Sequence, residues 1–300
     1  MGGALTLAME FKICKNLDEC RSLWNRFSND SRLFDNWEFR NCFYDPEDNE
    51  LYFIVGYESG TPVGIIPLCF SKSSSQYNYF GGWFPERNSF FIKDKAKLPE
   101  FIAQCPANTF MEGIDPEESR YFNFLEDECT YFLDLEKYDY SFDKYFSSFD
   151  KKKQKNLKAD LGKIPAYRVH YNRIRDFDRL IELNIKQYGE YSRFNNPFIK
   201  KGISEMVKLA HKKGILKMIS VEINGNVEAV DAAVLFGEWY HTLIGGVNTQ
   251  RVPNLGKLMI VLDIKNAIAK KARFVDFFAT SGYWKELWDF EKLMLFKFLK

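Results

Sequence analysis

The 300-residue sequence is 46% hydrophobic and 28% charged, with a formal net charge of +1. These values are typical of a soluble globular protein long enough for two domains. No apolar run approaches the roughly 18 residues of a membrane span, and residues 1–9 lack the basic start and cleavage site of a signal peptide. The sequence therefore predicts a cytoplasmic protein. Because the six cysteines form no C-x-x-C pair and the three histidines form no ligand-spaced group, we expect neither a disulfide framework nor a metal site.

Charge is distributed unequally along the chain. Residues 1–150 carry a net charge of −12 and residues 151–300 a net charge of +13. This asymmetry indicates two units and an anionic partner for the second. A nucleotide cofactor, an RNA or a membrane surface would each fit. A solvated basic surface docked on an acidic sister domain would fit equally well.

The first half reads as a short α/β unit built around a hairpin. Residues 11–14 form a predicted strand, Asp18 is the predicted cap of a helix that ends near Phe27, and residues 33–43 are predicted to be helical. Two β-rich runs, residues 51–57 and 62–70, flank a Glu-Ser-Gly-Thr turn and form a predicted hairpin. Residues 115–128 are predicted to be a loop, followed by a strand over residues 130–135.

The second half begins with a basic helix. Ser147 or Ser148 is the predicted start of a helix that carries six lysines and ends near Gly162. Its lysines could contact the phosphates of a ligand or form a solvated face, and the sequence leaves both open. Residues 177–188 and 197–213 are predicted to be two further helices.

A second hairpin and a long helix follow. Three strands are predicted over residues 216–224, 227–236 and 239–247, and Asn224-Gly225 between the first two is a strong type I′ turn signal. The turn that contains Arg251, Asn254 and Gly256 then opens an apolar helix that begins at Leu255. A helix N-terminus behind such a turn presents free N–H groups and a partial positive charge, so the sequence predicts a phosphate site there.

The order of these elements and the Arg-x-x-Asn-x-Gly turn resemble the GNAT acyltransferase superfamily, in which Asn254 takes the place of the first glycine of the pyrophosphate loop. Further segments resemble the CelD-like and FemAB-like branch of that superfamily, and the resemblance covers about residues 130–300. These segments are Tyr131–Leu135, Lys151–Lys158, Pro253–Gly256, Val275–Phe277 and Lys285-x-x-Trp288. The resemblance and the repeated hairpin imply an α/β fold of two tandem GNAT-like lobes. Each lobe is a mixed central sheet flanked by helices, with a degenerate N-terminal lobe at residues 1–135 and an acyltransferase lobe at residues 136–300.

The resemblance also implies an acyl-CoA co-substrate, such as acetyl-CoA, and no metal. The phosphates and the acyl group of this co-substrate are expected to bind at the end of the third strand and at the turn. The residues expected to bind them are Gly246, Val247, Arg251, Asn254, Leu255, Gly256 and Lys257. The small-molecule or peptide amine acceptor is expected near Tyr188, Tyr191, Arg193, Lys285 and Trp288.

Acyl transfer to an amine needs a proton acceptor and a backbone N–H on the thioester carbonyl, for which the superfamily uses the third strand, here residues 244–247. Asp231 shares a strand face with apolar residues and His241 lies within a strand, so each is a candidate base. By resemblance, Tyr283 is the candidate acid that protonates the leaving thiolate.

The function that we predict is therefore N-acyl transfer from an acyl-CoA to an amine. Two alternatives remain open at this point. One is FemAB-like aminoacyl transfer from a charged tRNA to a peptide or cell-wall precursor, which the +13 half would suit. The other is a catalytically inactive GNAT fold that serves as a binding module. The acceptor, the acyl chain length and the oligomeric state are not determined by the sequence.

Overall fold

A computed structural model describes residues 9–279 and 283–300 of the chain, apart from the side chain of Tyr283. The described residues divide into two compact units. The first comprises residues 9–129 together with Leu293–Lys300, and the second comprises Thr130–Lys292. The predicted lobes of residues 1–135 and 136–300 stay a proposal.

The first unit is a mixed sheet around an aromatic core. Its strand order is β1-β2-β3-β4-β6-β13, in which β4 and β6 are parallel and β5 pairs with β3. Trp24 is fully buried at its centre, against Trp37, Phe53, Phe80 and Phe91. The strands are β1 (Glu10–Cys14), β2 (Asn49–Glu58), β3 (Thr61–Ser71), β4 (Gln76–Tyr79), β5 (Phe91–Ile92), β6 (Thr109–Ile114) and β13 (Glu291–Leu299), and the helices are α1 (Leu17–Phe27), α2 (Trp37–Asn41) and α3 (Leu98–Ala103).

The second unit repeats this plan with a longer set of helices. Its strand order is β8-β9-β10-β11-β12-β7, in which β11 and β12 are parallel and β12 and β7 antiparallel. The strands are β7 (Leu125–Asp134), β8 (Arg168–Tyr171), β9 (Leu216–Ile223), β10 (Asn226–Phe236), β11 (Trp239–Val247) and β12 (Phe274–Asp276), and the helices are α4 (Phe142–Ser148), α5 (Lys151–Gly162), α6 (Phe177–Tyr188), α7 (Pro197–Lys212), α8 (Leu255–Ala269) and α9 (Tyr283–Glu286).

The predicted α/β fold of two lobes, each with a mixed sheet and helices, is confirmed. In both units a hairpin is followed by one more antiparallel strand, and the next strand in the sheet is parallel to that one. The connection between the two parallel strands contains α8 in the second unit, whereas the described residues between β4 and β6 hold β5 and the short helix α3. Without a long helix after its third central strand, the first unit has no counterpart of the α8 N-terminus.

Several predicted helix and strand boundaries are wrong, and the helices begin elsewhere because other residues form their N-caps. Asn16, rather than Asp18, caps α1 by accepting the N–H of Glu19. Asn36 caps α2 and so divides the predicted helix over residues 33–43 into a 3₁₀ turn and a helix. The basic helix α5 starts behind Asp150, whose carboxylate accepts the N–H of Lys153. Strand β7 begins at Leu125, inside the segment predicted to be a loop.

Candidate functional site

The site is built where two parallel strands of the second unit separate. Strands β11 and β12 pair over three residues, and the last pair is His241 with Asp276. After it, the Thr242 hydroxyl donates to the carbonyl of Asp276 at 2.8 Å. The rest of β11, up to Val247, then has no partner strand on this edge in the part of the chain that the structure describes. A sheet edge that opens in this way leaves backbone donors and acceptors available to a ligand.

Two adjoining clefts lie at this opening. The first cleft has a volume of about 370 Å³ and extends to the N-terminus of α8 at Asn254, Gly256 and Lys257. The second cleft has a volume of about 470 Å³ and extends to Tyr191, Arg193 and Lys285. Both clefts share Tyr188, Thr242, Ile244, Gly245, Phe277 and Trp284 among their lining residues. A molecule in one cleft can therefore meet a molecule in the other beside β11.

The turn before α8 has the backbone geometry that a phosphate site needs. Asn254 adopts the left-handed conformation with φ at 66°, as expected for an asparagine in a glycine position. A Cβ atom built on Gly256 would meet nothing within 4 Å, so the space in front of the helix N-terminus is open. Lys257 lines the first cleft and forms an ion pair of 2.5 Å with Asp160, whose pKa is lowered mainly by that hydrogen bond.

Arg251 and Leu255 lie elsewhere in this turn. The Arg251 guanidinium is 2.6 Å from a carboxylate oxygen of Glu228, which is fully buried and also accepts a hydrogen bond from Asn248. Leu255 is fully buried in the core beneath α8. Neither residue is among those that line the two clefts, and a direct role in phosphate binding stays a prediction.

Two carboxyl groups meet in the first cleft. Asp231 of β10 is half-buried at the cleft surface and is hydrogen-bonded to Asp263 of α8, which is buried. Burial raises the pKa of Asp231 to about 6, and burial together with the neighbouring Asp231 charge raises the pKa of Asp263 well above its usual range. The hydrogen bond between the two groups lowers the pKa of Asp231 and raises that of Asp263, so Asp263 is the member of the pair that binds a proton more tightly.

This carboxyl pair is held in place by a directed chain of hydrogen bonds. The Asn266 side-chain amide donates to the Tyr240 hydroxyl at 3.0 Å, and that hydroxyl donates to Asp263 at 3.1 Å. Gly245 lies opposite Asp231 in the strand register, and a Cβ there would overlap the Asp231 carboxylate. Any side chain at position 245 would thus displace Asp231, so Gly245 keeps the carboxylate at the cleft.

Amide side chains of α6 cover part of the open edge of β11. The Val247 N–H donates to the side-chain oxygen of Gln187 at 2.8 Å, and the Asn184 amide donates to the carbonyl of Gly245 at 2.6 Å. Because the N–H and C=O of one strand residue point to the same edge, the Gly245 N–H also faces the opening. Gly246 points the other way, since a Cβ there would lie 2.6 Å from the backbone of α6. Gly246 is thus a packing position and does not line either cleft.

His241 forms a second acid–base pair away from both clefts. Its Nδ1 is 2.9 Å from a carboxylate oxygen of Asp276, and its ring stacks on Trp239. The imidazole is almost fully buried, and its Nε2 has no hydrogen-bond partner among the described residues. His241 does not line either cleft, so the structure gives it no access to a bound substrate there.

The predicted acceptor residues are brought together at the second cleft. Tyr188, Tyr191, Arg193 and Lys285 all line it. Lys285 is buried, and its ammonium donates to the carbonyls of Phe278 (2.7 Å) and Ala279. Trp288 lines the first cleft instead, and its carbonyl accepts the Tyr145 hydroxyl. The side chain of Tyr283, the predicted acid, lies outside the described residues.

Several cleft residues were missed by sequence reasoning. Asp263 carried a usable signal, because it is an acid between Leu262 and Ile264 in an apolar helix. Asn184 and Gln187 carried none, since polar residues on a surface helix are ordinary. Among residues 9–279 and 283–300, no group of three or more His, Cys, Asp or Glu side chains could hold a metal ion. No helix in the described part of the chain has the length and apolar character to cross a membrane.

Comparison with known proteins agrees with this geometry. Residues 148–286 match the family model described as an acetyltransferase (GNAT) domain. No curated protein matches the sequence. The predicted resemblance to the GNAT superfamily and its FemAB-like branch is confirmed by this match and by the fold of the solved structures.

Three solved structures share the fold along nearly the whole chain. FemX has a TM-score of 0.60 at 11% identity, covering 95% of this chain and 96% of its own. A conserved protein of unknown function from Bacteroides thetaiotaomicron has a TM-score of 0.58 at 13% identity, covering 97% and 100%. A tandem GNAT protein from the clavulanic acid biosynthesis pathway has a TM-score of 0.55 at 10% identity, covering 97% and 98%. The fold is thus that of a two-lobe GNAT protein, and the GNAT domain supports an N-acyltransferase in general.

Proposed function

We propose that the protein transfers an acyl group from an acyl-CoA thioester to an amine acceptor. The observation that carries this proposal is the first cleft, which is lined both by the open turn at Gly256 and by the Asp231–Asp263 pair. The first feature suits a phosphate-bearing donor, and the second suits removal of a proton from an ammonium group. The Gly256 turn has the room and the charge, from Lys257, to receive the donor phosphates.

In this proposal, different residues bind the donor, stabilise the developing charge and remove the proton. The backbone N–H groups of Asn254 and Gly256 bind the donor phosphates, since those of Leu255 and Lys257 donate to carbonyls within the turn, and the Gly245 N–H stabilises the negative charge that develops on the thioester oxygen. Asp231 takes a proton from the acceptor ammonium, directly or through one water, so that the free amine can attack the thioester carbon. A C–N bond forms, the C–S bond breaks, and the thiolate leaves to be protonated, for which Tyr283 stays the predicted acid.

Aminoacyl transfer from a charged tRNA is the second candidate, and the exposed face of α5 favours it. Lys151, Lys152, Lys155 and Lys158 are exposed on one short helix, and residues 151–300 carry a net charge of +13. A polyanion would meet this face through its phosphates. A catalytically inactive binding module is the third candidate, and it predicts ligand binding with no turnover.

One experiment separates the three candidates. The purified protein is titrated with acetyl-CoA, longer acyl-CoA thioesters and aminoacylated tRNA, with binding followed by native mass spectrometry and calorimetry. Free thiol release is then measured with a panel of amines. We expect a saturable acyl-CoA complex and amine-dependent thiol release. Binding of tRNA that falls steeply with salt, with no acyl-CoA complex, would replace the proposal with the second candidate. Donor binding without turnover on any amine would favour the third.

Gln187→Ala is expected to tighten donor binding. A donor that lies along β11 must displace the Gln187 side chain from the Val247 N–H. Since a net hydrogen bond is worth roughly a factor of 2 to 10 in an equilibrium constant, we expect a gain of that size in acyl-CoA affinity. Calorimetry with acetyl-CoA measures it. Asn184→Ala is the matched comparison, because it exposes a carbonyl on the same edge and leaves the Val247 N–H covered. A weaker complex in Gln187→Ala would mean that Gln187 contacts the donor instead.

A further inference from the structure

Among the described residues, the second cleft is lined by cations without any carboxylate, whereas the first cleft is lined by a carboxyl pair as well as by Lys257. The described lining residues of the second cleft include two cations, Arg193 and Lys285, and no Asp or Glu. Five aromatic side chains, those of Tyr188, Tyr191, Phe277, Phe278 and Trp284, form much of its wall. The first cleft, in contrast, contains the Asp231–Asp263 pair. The two clefts therefore offer groups of opposite charge, a carboxyl pair in the first and two cations in the second.

Tyr188 connects these two charged regions. Its ring lines both clefts, and its pKa is raised by burial, raised further by the Asp231 charge and lowered by the Arg193 charge. Asp231 lines the first cleft and Arg193 lines the second, and Tyr188 lines both, so one molecule that lies beside Tyr188 and extends into both clefts can meet both charges. A substrate that places an ammonium at Asp231 can at the same time place a negative group at Arg193.

The two cations of the second cleft differ in what they can bind. The Lys285 ammonium is buried and already donates to the carbonyls of Phe278 and Ala279. The charge of Lys285 contributes to the electrostatic potential of the cleft, but its N–H donors point at the backbone carbonyls. Arg193 is half-buried and has five N–H donors, so its guanidinium can hold a carboxylate in addition to any partner within the protein. One guanidinium balances one negative charge, which fits a carboxylate better than a dianionic phosphate.

We infer that the acceptor is an amine that carries a carboxylate, of the amino-acid type, and that Arg193 in the second cleft selects it. This inference rests on the proposed function and names the substrate class of the same site. The aromatic wall covers the apolar body of the acceptor, Arg193 pairs with its carboxylate, and its ammonium lies at Asp231. Tyr191 is 82% exposed and stands at the mouth of the cleft, where it can pack against an entering side chain. The bonds made and broken are those of the proposed acyl transfer.

The test compares the proteinogenic L-amino acids with the amines that lack only the carboxylate, for example phenylalanine with phenethylamine. Binding is measured by calorimetry without a donor, and KM and kcat are measured with the acyl-CoA that binds best. For the preferred amino acid we expect a Kd and a KM about 10-fold or more below those of its amine, because a hydrogen bond to a charged group is worth at least that factor. In Arg193→Gln this preference is lost. Arg193→Lys keeps the charge but loses the paired N–H donors of the guanidinium, so we expect this variant to keep part of the preference for the amino acid.

The readouts distinguish this inference from the proposed function. Arg193-dependent binding of an amino acid without acyl transfer to any amine supports the ligand class and contradicts the reaction. Acyl transfer that is equally efficient with amines lacking a carboxylate, or a panel in which no amino acid binds, overturns the inference. So does an Arg193→Gln variant that weakens amino acids and their amines by the same factor. The thermal midpoint of each variant confirms that it is folded.

Discussion

Asp231→Asn is expected to lower kcat by roughly 100-fold or more while acyl-CoA affinity stays unchanged. The substitution keeps the shape of the side chain and removes the group that accepts the proton. Asp231 lies at the cleft surface, hydrogen-bonded to the buried Asp263, and burial raises its pKa to about 6. A carboxylate with that pKa is ionised at neutral pH and is a stronger base than an ordinary aspartate, which suits proton removal from an ammonium.

The raised pKa of Asp231 also determines how turnover and stability should change with pH. In the wild type, kcat should rise as the pH passes through about 6, because Asp231 must lose its proton to act. The folded chain binds that proton more tightly than the unfolded chain. The stabilising contribution of Asp231 is therefore present below about pH 4 and is lost as the pH rises to about 6. At pH 8, Asp231→Asn should unfold at the same temperature as the wild type or higher, although it turns over far more slowly.

Two further variants serve as controls. Asp263→Leu removes the hydrogen bond that lowers the pKa of Asp231, so the acid limb of the pH–rate profile should move to higher pH. His241→Gln should retain most of the turnover, because His241 is paired with Asp276 and does not line either cleft. Full turnover of Asp231→Asn with an unmoved pH profile would make Asp231 a structural residue. Loss of turnover in His241→Gln, with the same Tm, would then give the role to His241.

Local sequence signals predicted much of the second unit. The Asn224-Gly225 signal gave a hairpin in which both turn residues have positive φ, and the bounds of β11 and α6 match the predicted residues 239–247 and 177–188. The alternation of apolar and polar residues in a strand and the periodicity of a helix depend on residues that are close in the chain. Both patterns can therefore be recognised in the sequence directly. Where one side chain decided a boundary, as Asn36 and Asp150 did, periodicity alone gave the wrong end.

The site was only partly predictable, because its geometry depends on contacts distant in the sequence. Strand parity identified Asp231 as an acid in an apolar setting, but its partner Asp263 comes from another element. The cover of the Val247 N–H by Gln187 joins residues that are far apart in the chain. For His241, the pattern gave a position within a strand, whereas its pairing with Asp276 depends on where β12 aligns with β11. Such pairings follow from the sheet register, which the sequence of one strand does not determine.

Gly256→Glu is expected to abolish acyl-CoA binding without unfolding the protein. A Cβ at this position would meet no atom within 4 Å, and no positive φ is required there, so the fold can accept a side chain. The added carboxylate would stand in the space before the N-terminus of α8, where the donor phosphates are expected. Bulk and like charge both oppose the phosphates there. We therefore expect at least roughly a 100-fold loss of donor affinity by calorimetry, since an unfavourable charge contact costs several kcal/mol.

Three matched variants separate charge, bulk and folding at this turn. Gly256→Ala should bind acetyl-CoA nearly as well as the wild type, because one methyl group fits the open space. Gly256→Gln has the size of glutamate without its charge, so its affinity should lie between those of alanine and glutamate. Lys257→Met removes the cation that lines the cleft and should weaken binding without abolishing it, because the backbone N–H groups remain. Should Gly256→Glu bind acetyl-CoA as tightly as the wild type at an unchanged Tm, the donor phosphates do not lie at the α8 N-terminus. The exposed lysines of α5 would then be the next anion-binding surface to test.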